Sequence, residues 1–402
     1  MTGTGLTTSY RDPRFAPQRG AVGRLLARGS VLYRLDWVLF AACTALSLIG
    51  SVLVWSATRD RTAINHGDSS YFLVRHVINM VIGMGLCAVI IGVGARRLRT
   101  AVPFIYAFAV LGVLAVLSPL GSTVNGAHSW IVLGGGFSIQ PSEFVKIAIT
   151  LGMATLLSAR VDAGERQFPD DRAVLHSLIL AAIPMGVILL MPDLGSTMVM
   201  VVLVLGVLGV SGAPKKWLAG LVAVGAIGAF AVVQLHILKQ YQIARFAAFA
   251  NPSLDPSGVG YNTAQARIAI GSGGLLGKGL FHGSQTTGQF VPEQQTDFVF
   301  TVAGEELGFV GAGVIILILG VVLWRACRIA RQAGDLYGTL VAAGVASWFA
   351  FQGFENIGMT LGIMPVAGIP LPFVSYGGSS MFAVWVGVGL LQSVRVLRPV
   401  SA

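Results

Sequence analysis

The chain has 402 residues, of which 54% are hydrophobic and 11% charged, against roughly 25% charged in an ordinary soluble domain. So few charges cannot cover two or three water-soluble domains, which excludes a soluble enzyme and points to a polytopic membrane protein with apolar side chains turned to lipid. The formal net charge is +10, and Cys43, Cys87 and Cys327 lie in or beside apolar runs without metal-ligand spacing, so no disulfide framework is implied.

Residues 1–35 form a basic tail carrying Arg11, Arg14, Arg19, Arg24, Arg28 and Arg34. The first apolar run begins too far along to be a cleaved signal peptide and reads as a first span. A spanning helix needs about 20 mainly apolar residues. Candidates fall near 36–56, 73–94, 101–119, 143–159, 175–191, 195–212, 217–236, 298–324, 339–358 and 378–394. The expected fold is therefore all-α, about ten transmembrane helices over 36–394, with a large outer loop, 237–297, between helices 7 and 8 and a short tail, 395–402.

Basic residues test that count, because lysine and arginine accumulate in cytoplasmic loops. With the N-terminal tail inside, ten spans place 19 of the 27 lysines and arginines on the cytoplasmic side, including Arg96, Arg160, Lys215, Arg325 and Arg395. Both termini are then cytoplasmic. Lys239, Arg245, Arg267 and Lys278 all fall in the long outer segment, and loops of that length escape the charge rule. A loop so long is usually functional.

Ionisable residues inside spans are costly and mark function by default. One is Glu143 in Gln140-Pro141-Ser142-Glu143, a helix start with Ser142 as a cap and Glu143 favoured by the helix dipole. Lys146 follows one turn deeper on the same face. Two readings fit: an ion pair that neutralises buried charge, or a lysine offered to an anionic head group. Met191-Pro192-Asp193-Leu194-Gly195 permits a tight hairpin with Asp193 as a cap.

The glycine-rich run Gly271 to Gly279 invites a phosphate-loop reading and fails it, because Ser272 stands where a glycine belongs and Gly279 follows Lys278. What survives is a flexible turn, or glycine N–H groups and Lys278 near an anion. Asp297, at the edge of the eighth span, is either a helix cap or a general base at the interface. Glu305 lies about 12 Å further along the helix, where it could support Asp297, whereas Glu306 points to another helix. Glu355 is a further ionisable residue within a span. The six histidines are dispersed and give no zinc spacing.

Several runs together resemble one family. They are Asn251-Pro252-Ser253-Leu254-Asp255-Pro256, Ile268-Ala269-Ile270-Gly271, Gly277-Lys278-Gly279, Thr296-Asp297-Phe298 with Glu305-Glu306-Leu307-Gly308, and Gly362-Ile363-Met364-Pro365 through Gly368-Ile369-Pro370-Leu371-Pro372-Phe373-Val374-Ser375-Tyr376-Gly377-Gly378. With the motifs at 140–143 and 192–195, they are similar to the shape, elongation, division and sporulation (SEDS) family, in wording nearer RodA than FtsW. The resemblance implies a ten-helix glycosyltransferase that polymerises lipid II into peptidoglycan beside a class B penicillin-binding protein transpeptidase.

It also implies roles. Asp297 matches the family's essential aspartate, Glu143 and Lys146 its polar pair, and Lys278 its post-glycine lysine. Ser129, Ser138 and Gln295 depart from the family: many relatives carry arginine at the first position, some carry arginine at the second, and histidine is usual at the third. On this expectation Asp297 deprotonates the acceptor's GlcNAc 4-hydroxyl, which attacks the donor's anomeric carbon with inversion. Lys278, Arg245, Arg267 and Lys146 would steady the departing pyrophosphate. Substrate contacts are expected from Lys278, Glu143, Lys146, Arg245, Arg267 and Glu305. A divalent ion such as Mg2+ or Mn2+ could share that work, although no dedicated cage is legible. Membrane lipids are expected partners and nucleic acid is not. The rivals are a lipid II flippase and a non-catalytic scaffold for the synthase.

Overall fold

The structure, a computed structural model, describes residues 31–397 apart from 62–64, 66, 125–126, 135–136, 192, 235–248 and 250–257. Its elements run α1 (Trp37–Thr58), α2 (Tyr71–Val93), α3 (Ala95–Val116), β1 (Gly121–Val124), β2 (Ala127–Gly134) and β3 (Phe137–Ile139). There follow α4 (Pro141–Asp162), α5 (Asp171–Leu190), α6 (Leu194–Val210), α7 (Lys215–Gln234) and α8 (Val259–Ser272). The chain closes with α9 (Val299–Glu306), α10 (Gly308–Arg331), α11 (Leu336–Leu361) and α12 (Gly378–Val396). Among the described residues, α1 to α5, α10 and α12 are long and apolar enough to cross a membrane, and α6 is a shorter apolar helix of 17 residues. The protein is an all-α polytopic membrane protein. Each of the ten expected spans is helical over most of its length, the eighth broken at Leu307 between α9 and α10.

Aspartates start four of these helices. Asp36, Asp170, Asp193 and Asp335 cap α1, α5, α6 and α11, each accepting the N–H three residues on. Asp193 is thus the cap the sequence suggests. Ser142 is not: Gln140 is the N-cap of α4 and Pro141 fills its first turn. The Ser142 hydroxyl instead donates to Asp193 Oδ2 at 3.3 Å, beside Gln140 Nε2 at 3.1 Å. The hydroxyl does more by joining α4 to α6 than by capping its own helix.

Between α3 and α4 stands an antiparallel sheet in the order β1-β2-β3, where the sequence analysis expects only a connection. β1 and β3, of four and three residues, carry little periodicity of their own, and hairpin pairing with β2 supplies the order. The segment after residue 258 is also less open than expected, since α8 and a series of turns fill it.

Beside a small cluster of Ala266, Ala269, Val291 and Phe298, the core is one large cluster. Within it, α11 packs on α4, α6 and α10, and α12 lies along α2. At the end where α1 begins, buried Asp36 receives the Arg325 guanidinium through Nε at 2.9 Å and through Nη2 as well. Gln392 Oε1 accepts from Asp36 N at 2.8 Å. That network ties α1, α10 and α12 together. The functional candidates gather at the other end.

Candidate functional site

Asp297 sits half-buried on the turn that precedes α9. It is not the cap of that helix, because the N-cap is Phe298, which makes no side-chain cap bond. The turn closes on itself through Asp297 N and Phe298 N, which donate to Glu293 O at 3.1 and 3.2 Å. Glu293 adopts a positive φ of 50°, a conformation that costs a non-glycine residue of order 1–3 kcal/mol and persists only when the surroundings hold it.

Three elements supply that hold. Asn356 Nδ2 of α11 donates to Asp297 O at 2.8 Å. On the segment before α12, Ser375 Oγ donates to Thr296 O and Tyr376 N to Gln295 O at 2.8 Å. From the loop after α1, Arg61 donates to Gln295 Oε1 at 3.1 Å and to Val291 O at 3.2 Å. Burial lowers the Arg61 pKa from its ordinary value, partly offset by Glu293 nearby. Arg61 and Asn356 are contributors the sequence analysis misses.

One wall of the Asp297 carboxylate is glycine. A Cβ on Gly368 would lie 3.4 Å from Asp297 Oδ2, and Gly368 has a φ of +69° that favours glycine in any case.

One helical turn from Asn356 along α11 stands Gln352, about 6 Å deeper in the bundle. Its Oε1 accepts from Lys146 Nζ at 2.9 Å, and its Nε2 donates to Pro370 O at 2.9 Å. Lys146 also donates to Glu143 Oε1 at 2.8 Å and lies 4.7 Å from the Trp348 ring centroid. Glu143 and Lys146 are sealed from solvent. Here the ion pair exists, and Gln352 links it to the segment that flanks Asp297.

The glycine-rich run does something the sequence leaves open. Lys278 N and Gly279 N donate to the Glu305 and Glu306 carbonyls at 3.0 Å each, and Phe309 N and Val310 N return bonds to Gly274 O and Leu275 O. A Cβ on Gly277 would lie 2.1 Å from Glu306 O. Those glycines therefore bring two backbones together, and the Lys278 and Gly279 N–H groups close the C-terminal end of α9. Lys278 Nζ pairs with Glu305 Oε1 at 2.8 Å and touches Ser284 Oγ at 2.7 Å.

Glu305 is fully buried and also accepts from Gln285 N, Thr286 N and Thr286 Oγ1, all at 2.8 Å. It turns to the 272–286 segment. Glu306 reaches α1, as expected, through Ser56 Oγ at 2.6 Å. Arg267 of α8 donates to Leu361 O and Gly362 O, closing the C-terminus of α11. Arg245 and the run 251–256 lie outside the described residues. The structure thus brings together Asp297, Asn356, Gln352, Lys146 and Glu143 in one chain of contacts. Lys278 and Glu305 form a second cluster at the far end of α9.

Fold and site together define a multi-pass membrane protein that braces one carboxylate-bearing turn at an end of its helix bundle. The chain belongs to the family of cell cycle proteins that groups FtsW, RodA and SpoVE, whose model matches residues 36–398. This is the SEDS family that the motifs resemble.

The chain is 38% identical to stage V sporulation protein E of Bacillus subtilis, covering 89% of this chain and 96% of the relative. It is 35% identical to a probable peptidoglycan glycosyltransferase FtsW of Trichlorobacter lovleyi, covering 89% and 92%. It is 33% identical to peptidoglycan glycosyltransferase MrdB of Escherichia coli K12, covering 90% and 94%. Among solved structures it matches a chain from a peptidoglycan synthase complex with a TM-score of 0.74 at 31% identity, covering 90% of this chain and 97% of that one. Thermus thermophilus rod shape determining protein RodA matches with a TM-score of 0.65 at 29% identity, covering 90% and 97%.

Proposed function

We propose that this protein is a peptidoglycan glycosyltransferase that polymerises lipid II into β-1,4-linked strands during cell elongation. The observation that carries the site assignment is the bracing of the Asp297 turn from three elements, which is expensive unless the carboxylate must be held in one place. Membership of a family whose relatives include peptidoglycan glycosyltransferases supplies the reaction class.

Lipid II presents a sugar on a polyprenyl pyrophosphate at the outer leaflet. Its polymerase must seat a lipid tail, take a proton from a sugar hydroxyl and steady a pyrophosphate. Asp297 accepts the proton of the acceptor's GlcNAc 4-hydroxyl as that oxygen attacks the donor's anomeric carbon, and the configuration inverts. Half-burial suits a base that meets a hydroxyl at the membrane interface.

Lys278 and Arg267 keep solvent exposure and can turn toward the leaving pyrophosphate. Lys146 is enclosed by Glu143 and Gln352 and acts from behind the site. Among the described residues no group of three His, Cys, Asp or Glu side chains converges. A divalent cation would therefore arrive on the pyrophosphate and draw ligands from the substrate.

This reading sets the Asp297 end toward the outside of the cell and both termini in the cytoplasm, in a bacterial inner membrane. A class B penicillin-binding protein is the proposed crosslinking partner, by analogy with the synthase complex whose chain this one matches.

Purified protein incubated with lipid II in detergent, together with its transpeptidase partner, tests the proposal. Glycan polymer on a gel is the expected product. Transport of lipid II across vesicles without polymer would support a flippase, and activity only from an added polymerase would support a scaffold.

A further inference from the structure

The structure assigns Asn356 a positioning role for Asp297, an inference that rests on reading Asp297 as the base. Asn356 is fully buried in α11. Its Nδ2 donates to Asp297 O at 2.8 Å and to Ile369 O at 2.7 Å. Both partners are carbonyl oxygens and can only accept, so the amide orientation follows from the network. One NH2 group therefore spends its two hydrogens on two backbone segments.

Those two segments frame the carboxylate. One carries Asp297, and the other holds Gly368, whose missing Cβ leaves the space beside Asp297 Oδ2. Asn356 thus sets the distance between the carboxylate and its wall. Gln352, four residues earlier on the same helix face, repeats the contact one residue along by donating to Pro370 O. The amides at 352 and 356 grip consecutive carbonyls of the 369–370 segment. Gln352 also accepts from Lys146, so the enclosed Glu143 and Lys146 pair is fixed to the same segment.

Arg61, Ser375 and Tyr376 grip Val291, Gln295 and Thr296, upstream of the reacting residue. Asn356 grips the carbonyl of Asp297 itself. Losing its two donated hydrogens unties the Asp297 carbonyl from α11, while Asp297 N and Phe298 N stay bonded to Glu293 O. A base displaced by about 1 Å costs on the order of a hundredfold in rate without weakening substrate binding.

The experiment is steady-state polymerisation of lipid II by the full-length protein with its partner, comparing Asn356→Asp, Asn356→Ser and Asp297→Asn. Asn356→Asp keeps shape and offers neither hydrogen when ionised and one when protonated, so it cannot bond both carbonyls at once, whereas Asn356→Ser keeps one shorter donor. We expect kcat to fall about ten- to a hundredfold for Asn356→Asp and less for Asn356→Ser, with KM for lipid II unchanged. The acid limb of the pH profile should move in Asn356→Ser, which adds no titrating group of its own, because the Asp297 carboxylate then shifts against its surroundings. A merely structural role would lower the amount of folded protein and leave kcat per folded molecule and the acid limb where they were.

Wild-type kcat in folded Asn356→Asp, alongside a dead Asp297→Asn, overturns the positioning role and spares the base. Wild-type polymerisation by Asp297→Asn overturns the base itself. Should Asn356→Asp fail to fold, Asn356→Ser decides: an unchanged kcat and acid limb there overturn the inference.

Discussion

Lys146 Nζ lies 2.8 Å from Glu143 Oε1, with 1% and 3% of the two side chains exposed. Such a pair gains little net stability by existing, yet removing one partner strands the other. The pair is best understood by what breaking it does. Glu143 Oε2 has no hydrogen-bond partner among the described residues, so the carboxylate leans on Lys146 for its compensation.

Lys146→Met should therefore destabilise the protein by about 3–5 kcal/mol. The double variant Glu143→Gln with Lys146→Met should recover most of that loss. Thermal unfolding in detergent, followed by size-exclusion chromatography, reads both. A single variant as stable as the double would mean that Glu143 has another partner.

Gly277 is a second test of packing. With a φ of +80° and Glu306 O 2.1 Å from where a Cβ would be, it has no room for a side chain. Gly277→Ala should cost at least about 2 kcal/mol, from strain and from separating the two backbones. An unchanged melting temperature would return the glycine run to the status of a flexible turn.

Glu355 offers a prediction of opposite sign. It is fully buried, and neither carboxylate oxygen has a hydrogen-bond partner among the described residues. An ionisable side chain so placed costs roughly 2.5–3.5 kcal/mol on insertion scales. Glu355→Leu, of similar volume, should stabilise the protein by roughly 1–3 kcal/mol. A loss of stability would show that the carboxylate has a partner in the working protein.

At the far end of the bundle, Asp36→Asn should cost about 3–5 kcal/mol, because Arg325 is then left buried beside a neutral amide. Polymerisation per folded molecule should stay within about twofold, since this network lies at the opposite end of the bundle from the Asp297 turn. A selective loss of kcat would reveal coupling along α10 or α12.

What the sequence discloses follows the range of each interaction. Helices declare themselves through twenty-residue apolar runs, and Asp193 through its place before one. Glu306 can be placed against another helix from its angle on α9 alone. Ser142 misleads, because its partner Asp193 lies 51 residues away and outcompetes the local cap.

The glycine run misleads similarly. A run that admits close backbone approach looks the same whether an anion or a helix end approaches it. Arg61 carries no local signal, since its partners are more than 200 residues distant. Gln352 and Asn356 do leave one: two amides four residues apart in an apolar helix are costly in lipid and require partners.

Everything functional here turns on Asp297 acting as a base. The most direct measurement is lipid II polymerisation by purified Asp297→Asn in complex with the proposed transpeptidase, beside wild type and at matched folded concentration. Asparagine keeps the size of the side chain and the backbone bonds to Asn356 and Glu293, while losing the ability to accept a proton. The account predicts intact assembly with glycan synthesis reduced by at least about two orders of magnitude, the range a general base supplies. Polymer formed at the wild-type rate by that variant would contradict it.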